Sequence, residues 1–474
     1  MKIGIKELVK NSGILVISNA SLKAISFFLL PLYTNVLPPS AYGITDTIIN
    51  SATLISAIFS LSLDWGMNTY FYEENSEDYY KKVTSSGMLF FALSALSCAI
   101  LACFSETISE MLFDVPDYRF AVILGVMIAS TKLLYFPQRV SERMRGNLKM
   151  VGIFSAIELL VTILCNILFI LILRMGYISI LLSQIIGQIV SLILYTVESR
   201  KYLGIKSADT SLIKKMLKYS IPITPTLVFD WINGVSDRYF VGYFFSQTEV
   251  GLYGMGTRVV TLISVFTSSF LSAYASFAYS NAKDKKREQY AVVFDVLTMG
   301  TMAMGVGITL FSKEIIGIMT DEAYHSAYIV VGVLTFAHVI HTLGLVAGYG
   351  ITIQKKGIMY LMVSGGGAIG NIILNFILVP KYSYVGAAVA TLITEILVFL
   401  ISYFVSQKLF YCNYNLFKVI ICFLVTIFIS YWGGEQKFLF KACILLLELL
   451  LIVSVYANRI KWIGSILILK FKKR

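Results

Sequence analysis

The sequence predicts an all-α polytopic membrane protein, and three observations carry that prediction. Hydrophobic residues make up 57% of the chain and charged ones 14%, where a soluble domain carries about 25% charge. Runs of about twenty apolar residues, enough to cross the hydrocarbon core as helix, recur from end to end. Basic residues gather in every second connection between those runs, as expected when cytoplasmic loops are positive.

About fourteen transmembrane helices fit this pattern. The first, 13–36, follows a basic leader (Lys2, Lys6, Lys10) and suits an uncleaved transmembrane helix. Spans 42–68, 84–104, 119–137, 150–173 and 177–197 come next. An acidic connection (Glu106, Glu110, Asp114, Asp117) follows the third, and basic ones run from Arg139 to Lys149 and from Arg200 to Lys218. The seventh span, 217–245, opens with Pro222 and Pro225, which break the backbone ladder and predict a kink. Spans 250–280, 290–311, 326–350, 357–379, 384–406, 416–432 and 438–457 complete the set. Their basic connections are Lys283 to Arg287, Lys355-Lys356, and the tail from Arg459 to Arg474, so both termini read as cytoplasmic. No loop is long enough to fold as a domain of its own.

The chain reads as duplicated. Gly176-Tyr177-Ile178-Ser179 through Gln188 matches Ser383-Tyr384-Val385-Gly386 through Glu395, and Ala41-Tyr42-Gly43 matches Leu252-Tyr253-Gly254, at offsets of about 207–211 residues. Six spans per copy is an even number, so both copies insert the same way up. The expectation is two six-helix lobes related by an axis along the membrane normal, with substrate bound between them. The lobes are 1–205 and 206–410; 411–474 holds two C-terminal helices and a basic cytoplasmic tail.

Charge inside apolar spans marks the candidate site, because a charged side chain at bilayer depth costs roughly 2.5–3.5 kcal/mol on insertion scales. In span 7, Thr226, Asp230, Asn233 and Asp237 share one face at 100° per residue, and Arg238 lies beside it, able to pair with either aspartate. In span 2, Asp46, Asn50, Thr53, Ser60 and Asp64 form a stripe roughly 27 Å long, nearly the hydrocarbon thickness. Span 1 adds Asn19, Lys23 and Ser26; span 8 adds Arg258, Thr261 and Ser268. These faces fit helices that line a water-filled cavity. The competing reading is a closed charge pair that locks helices together. Lys132 is left without a direction, Glu158, Asp295 and Glu448 read as interhelical hydrogen bonding or proximity to an interface, and Glu395, which matches Gln188 across the repeat, reads as structural.

Other chemistries find little support. The sequence holds no GxSxG, no phosphate-binding glycine loop and no HExxH, so it predicts no enzyme and no cofactor. The six cysteines have no metal spacing and read as reduced and buried; His338 and His341, without acidic neighbours in sequence, read as packing or polar lining rather than a metal site. The net charge of +12 sits in short loops beside apolar spans, which points to topology and anionic lipid, not nucleic acid.

Several short motifs carry a family resemblance that covers nearly the whole chain. They are Asn11-Ser12-Gly13 after the basic leader, Pro31-Leu32-Tyr33-Thr34, Ala41-Tyr42-Gly43, and the Pro222 to Pro225 opening of span 7. Further on come Ser236-Asp237-Arg238-Tyr239, Val250-Gly251-Leu252-Tyr253-Gly254, Gly386-Ala387-Ala388 and Ala390-Thr391. In order and spacing these resemble the multidrug/oligosaccharidyl-lipid/polysaccharide exporter superfamily, and within it the Wzx-type flippases of the bacterial cytoplasmic membrane. The resemblance implies a MATE-like fold working by alternating access on a polyprenyl-diphosphate-linked oligosaccharide, for O-antigen, capsule or exopolysaccharide assembly beside other assembly proteins. Lys23, Arg238 and Arg258 are then candidate phosphate contacts, and Asn19, Asn50, Thr53 and Asn233 candidate sugar contacts. Asp46, Asp64, Asp230 and Asp237 would neutralise the cations between cycles or bind a coupling proton or sodium ion. A cation-coupled drug or metabolite antiporter of the same superfamily is the alternative. A membrane-embedded polysaccharide polymerase fits less well, since no large outward loop exists.

Overall fold

The computed structural model describes residues 30–74, 76–202, 204–280, 287–354 and 356–457, and these form helices joined by short turns. Among them, nine helices are long and apolar enough to cross a membrane, and one bent pair makes a tenth. One of the nine, Gly357–Leu409, is 53 residues long and contains two predicted spans, with Ser383 (φ 51°) at the break between them. The all-α polytopic fold is therefore present. The first predicted span lies mostly outside the described residues, and Asn19 and Lys23 with it.

The chain forms two compact units, up to Gly254 and from Met255. In the first, α1 (Pro39–Ser60) begins at a proline, whose fixed φ suits the first helical turn. It stops because Leu61 and Ser62 take left-handed backbone angles, φ 45° and 53°, which cost a side chain roughly 1–2 kcal/mol each. Polar side chains support the break: the Ser62 amide donates to Ser60 Oγ at 3.3 Å, and Thr224 Oγ1 donates to Ser62 Oγ at 3.2 Å. α2 (Leu63–Tyr70) then leaves at 49°. The span 2 stripe thus ends at Ser60, and Asp64 stands on a separate helix, not at the end of one continuous line.

Four longer helices follow: α3 (Glu77–Ala99), α4 (Arg119–Met144), α5 (Leu148–Ile167) and α6 (Ile178–Ser199). α4 packs against α1, α3 and α6, and buries Val122, Val126, Ala129 and Leu133 in the core of the unit. Between α5 and α6, Ser191 Oγ donates to Glu158 at 2.6 Å, the interhelical role expected of that carboxylate.

The seventh span is cut into pieces. Asp209 caps α7 (Thr210–Ser220) by accepting from the Ser211 and Leu212 amides at 2.7 and 3.3 Å. A 3₁₀ turn carrying Pro222 separates it from α8 (Thr224–Val235), and α9 (Asp237–Phe244) completes the run. α7 packs on α2 and α3, and α8 on α1. Those contacts put residues 210–254 in the first unit, whereas the repeat divides the sequence at 205/206.

The connections after predicted spans 2, 4 and 6 meet each other. Lys215 holds Glu73 at 2.6 Å, Lys82 holds Asp209 at 2.6 Å, and Ser199 donates to Glu142 at 2.8 Å. The guanidinium of Arg145 lies 3.6 Å from the centre of the Tyr202 ring. The turns after predicted spans 2, 4 and 6 therefore lie at one end of the unit.

α10 (Gln247–Ser280) runs from one unit into the other. The second unit continues with α11 (Glu288–Leu310), α12 (Ser312–Met319), α13 (Tyr328–Ala347), α14 (Gly357–Leu409), α15 (Leu416–Gly433) and α16 (Phe438–Val455). α13 packs against α11, α12 and α14. A Cβ on Gly386 would lie 2.7 Å from the Leu378 carbonyl carbon, so only glycine lets α14 fold this tightly after Ser383. α16 is fastened by Lys441, which is 1% exposed and donates to Glu314 of α12 at 2.8 Å. All six cysteines are free; Cys98, Cys412 and Cys422 are buried as expected, but Cys103 and Cys443 are exposed because they fall on outward helix faces.

Candidate functional site

The polar faces of predicted spans 2 and 7 meet in the first unit. α1 presents Asp46, Thr47, Asn50 and Ser51 to α8 and α9. Tyr239 and Ser51 share a hydrogen bond of 2.7 Å, and the Trp231 indole donates to the Asn50 carbonyl at 3.1 Å. At one end of this seam Arg238 Nε donates to Asp46, and both side chains are at least nine-tenths buried. The guanidinium also lies over the Tyr253 ring, 5.5 Å from its centre. Tyr253 in turn donates its hydroxyl to Asp237 at 2.5 Å. Two carboxylates, one guanidinium and one phenol thus form a connected charged cluster inside apolar helices.

Glycines make the cluster possible. A Cβ on Gly251 would lie 2.8 Å from the Pro39 carbonyl carbon, and one on Gly43 would lie 2.9 Å from the Gly251 amide nitrogen. A Cβ on Gly254 would stand 3.2 Å from Asp46 Oδ2. The backbones of α1 and the start of α10 are therefore pressed together at Pro39, Gly43 and Gly251, as small residues permit in membrane helices.

The remaining candidates are spread out. Asn50 is half-buried and donates to the Asp46 carbonyl at 2.7 Å, while Thr53 is exposed and bonds the Ile49 carbonyl at 3.0 Å. Asp230 is exposed, Asn233 half-buried and Asp237 1% exposed, so one helical face spans three different surroundings. Asp64 is half-buried near Arg143 of α4, whose Nη2 donates to Asn68 at 3.2 Å. Arg258 is half-buried in the second unit. For Arg238 and Asp46 the closed-pair arrangement is the one observed. Asp46 stands 192 residues away in sequence from Arg238, a distance that local periodicity does not resolve.

Sequence reasoning gave no role to Trp231, Tyr239 or Tyr253, although Tyr239 and Tyr253 stand inside quoted motifs. It also missed a pairing in the second unit: His341 Nδ1 lies 3.0 Å from Glu395 Oε2, so this imidazole has an acidic partner after all. That partner is remote in sequence and comes close only through the packing of α13 on α14. Among the described residues no group of three or more His, Cys, Asp and Glu is arranged to hold a metal ion.

Known proteins give the arrangement its context. The probable low-salt glycan biosynthesis flippase Agl15 of Haloferax volcanii is 22% identical over 199 residues, 40% of this chain and 42% of that protein, so the match spans under half of that relative. An uncharacterized membrane protein, MJ1375, of Methanocaldococcus jannaschii is 24% identical over 85% of this chain and 98% of its own length. The solved structure of the lipid II flippase MurJ, inward closed, superposes with a TM-score of 0.71 at 17% identity, covering 93% of this chain and 99% of that one. An inward-facing multidrug resistance MATE family transporter of the MOP superfamily gives 0.67 at 12% identity over 83% and 97%. At such identities the likeness is one of fold. Residues 33–329 match the polysaccharide biosynthesis protein family, and the chain belongs to it.

Proposed function

We propose that this protein is a flippase that moves a polyprenyl-diphosphate-linked oligosaccharide across the bacterial cytoplasmic membrane by alternating access, for assembly of a surface polysaccharide. The observation that carries the reading is the Arg238–Asp46 pair buried among apolar helices of a polysaccharide biosynthesis chain. A guanidinium fork suits phosphate oxygens, and an anionic headgroup competes with Asp46 for it. Asp46 then serves as the resting counter-ion, which keeps the cation from standing alone in the membrane between cycles. Lys23 and Arg258 supply further phosphate contacts from the first and eighth spans. Asn19, Asn50, Thr53 and Asn233 meet sugar hydroxyls, and Asp64, Asp230 and Asp237 hold the coupling ion or offset the cations. The lobes are 1–205 and 206–410, both termini are cytoplasmic, and other assembly proteins supply and consume the substrate.

Export of lipid-linked oligosaccharide tests this, in cells or in proteoliposomes. Lys23→Ala and Arg258→Ala should each abolish export while the protein still inserts. Arg258→Lys should retain part of it, because an ammonium makes no bidentate contact. Exchanging charges with Asp46 or Asp237 should not rescue either loss. Normal export by the Lys23→Ala, Arg258→Ala double variant overturns the phosphate assignment. Transport of cationic drugs with no movement of lipid-linked oligosaccharide overturns the flippase reading in favour of the antiporter.

A further inference from the structure

His338 and His341 stand three residues apart on α13, their rings 6.3 Å apart and within 27° of parallel. His341 Nδ1 meets Glu395 of α14 at 3.0 Å, and His338 Nε2 meets Thr267 Oγ1 of α10 at 3.1 Å. These contacts link three membrane helices of the second unit through two imidazoles and one carboxylate. α13 is otherwise an enclosed helix, with thirteen of its twenty residues buried, yet the His341 side chain is 45% exposed beside a carboxylate that is 11% exposed. A polar ring standing clear of an enclosed helix opens onto water rather than acyl chains.

We infer that the His341–Glu395 pair is a proton-binding site, and that taking up and releasing this proton drives the change between the two access states. Without the proton the pair is a neutral imidazole and a carboxylate, net charge −1. With it the pair is net neutral, as imidazolium–carboxylate or imidazole–carboxylic acid. A net charge favours hydration, and a neutral pair tolerates enclosure. Proton uptake from one side therefore favours the state in which α13 and α14 shut the site from water, and release on the other side reverses it. Imidazole is the side chain whose ordinary charge change falls between about pH 5 and 8. His338, held by Thr267, stands next to the exposed ring as the neighbouring station for the proton.

Other charged groups on the helices around α13 are engaged or remote. Glu314 of α12 is held by Lys441 at 2.8 Å, and Lys313 faces Glu435 at 3.6 Å. Lys418 of α15 donates to the Val455 carbonyl at 3.1 Å. Asp295 of α11 acts on Tyr456. Arg258 lies nine residues before Thr267 on α10, and Lys408 thirteen beyond Glu395 on α14, roughly 14 and 20 Å along their helices. Lys381 lies beyond the Ser383 break, and His325 in the turn that precedes α13.

The sequence holds three histidines, so nitrogen-15 histidine labelling of the full chain in nanodiscs gives three ring signals, assigned with His341→Gln and His325→Gln. The His341 signal should titrate between pH 5 and 9, and its midpoint should shift by at least one unit in Glu395→Gln. If that variant does not fold, Glu395→Asp, which draws the carboxylate back by one methylene, should still move the midpoint. Export of lipid-linked oligosaccharide should then show a pH profile that shifts in step with the ring titration, and His341→Gln should flatten it. A His341 ring that does not titrate, or does not respond to Glu395, overturns the site. A responsive ring with an unchanged export profile in His341→Gln overturns the coupling and leaves a structural tie. The export readout rests on the flippase reading, whose own failure looks different: no export by the unmodified chain at any pH.

Discussion

Arg238 and Asp46 show what a single buried pair asks of its residues. Each alone would be a charge in an apolar surrounding; together, with Tyr253 over the guanidinium, they are tolerated. Asp46→Ala should lower stability by about 3–5 kcal/mol, because it leaves the guanidinium buried without its carboxylate. Replacing both at once, as Asp46→Leu with Arg238→Met, should recover most of that stability and still abolish export. Thermal unfolding in nanodiscs beside an export assay separates the two effects; a double variant as unstable as the single one would count against the pair as a unit. The sequence marked both residues as intramembrane charges because hydropathy makes any such residue conspicuous. It could not join them, since nothing in a 3.6-residue period reports a partner on another helix. The same blindness hid Glu395 from His341.

Among the elements, the contact of α1 with the start of α10 depends on having no side chain at two places. Gly251→Val and Gly43→Val each put atoms where backbone already stands, and overpacking of this kind costs about 1–3 kcal/mol. Both variants should unfold at lower temperature than wild type, whereas Gly366→Ala, where nothing lies within 4 Å of the added carbon, should be close to neutral. Equal unfolding temperatures for all three would remove the tight crossing. Helix existence was legible throughout, because apolar length is a strong signal. Breaks were less so. Pro222 and Pro225 announced one, but the break after Ser60 rests on Leu61 and Ser62 in left-handed angles, which neither residue type advertises. That is why the span 2 stripe was carried too far, to Asp64.

For the whole molecule, side and pH can both be checked. Reporter fusions within Lys283 to Arg287 and at the C-terminus should both read cytoplasmic, and an external signal at either would break the fourteen-span topology. At the end of the first unit, hydrogen bonding from Lys215 holds Glu73 below the usual carboxylate range, and Lys82 does the same for Asp209. Their contribution is present above the ordinary carboxylate pKa of about 4 and is lost as pH falls through the lower folded values. Hydrogen exchange in the turns at 71–74 and 204–209 should therefore stay constant from pH 8 to 5 and quicken only in stronger acid. Both pairs are exposed, so raised salt should weaken them as well. A change near neutral pH would then have to arise elsewhere, and the His341–Glu395 pair is where we expect it. The division into compact units was not legible in the sequence: the repeat marks copies of sequence, and α7 to α9 pack with the copy that precedes them.

The Glu314–Lys441 pair joins residues 127 positions apart, and the lysine comes second. During synthesis α12 is made and threaded into place long before α16 leaves the ribosome. Until then Glu314 has to wait in water or beside some other chain. The second unit is finished only when one of its last helices arrives with the ammonium, so the nascent protein carries a vacancy that only its own late portion fills. A chain that ended before α16 would lack the ammonium that Glu314 accepts from in the finished unit.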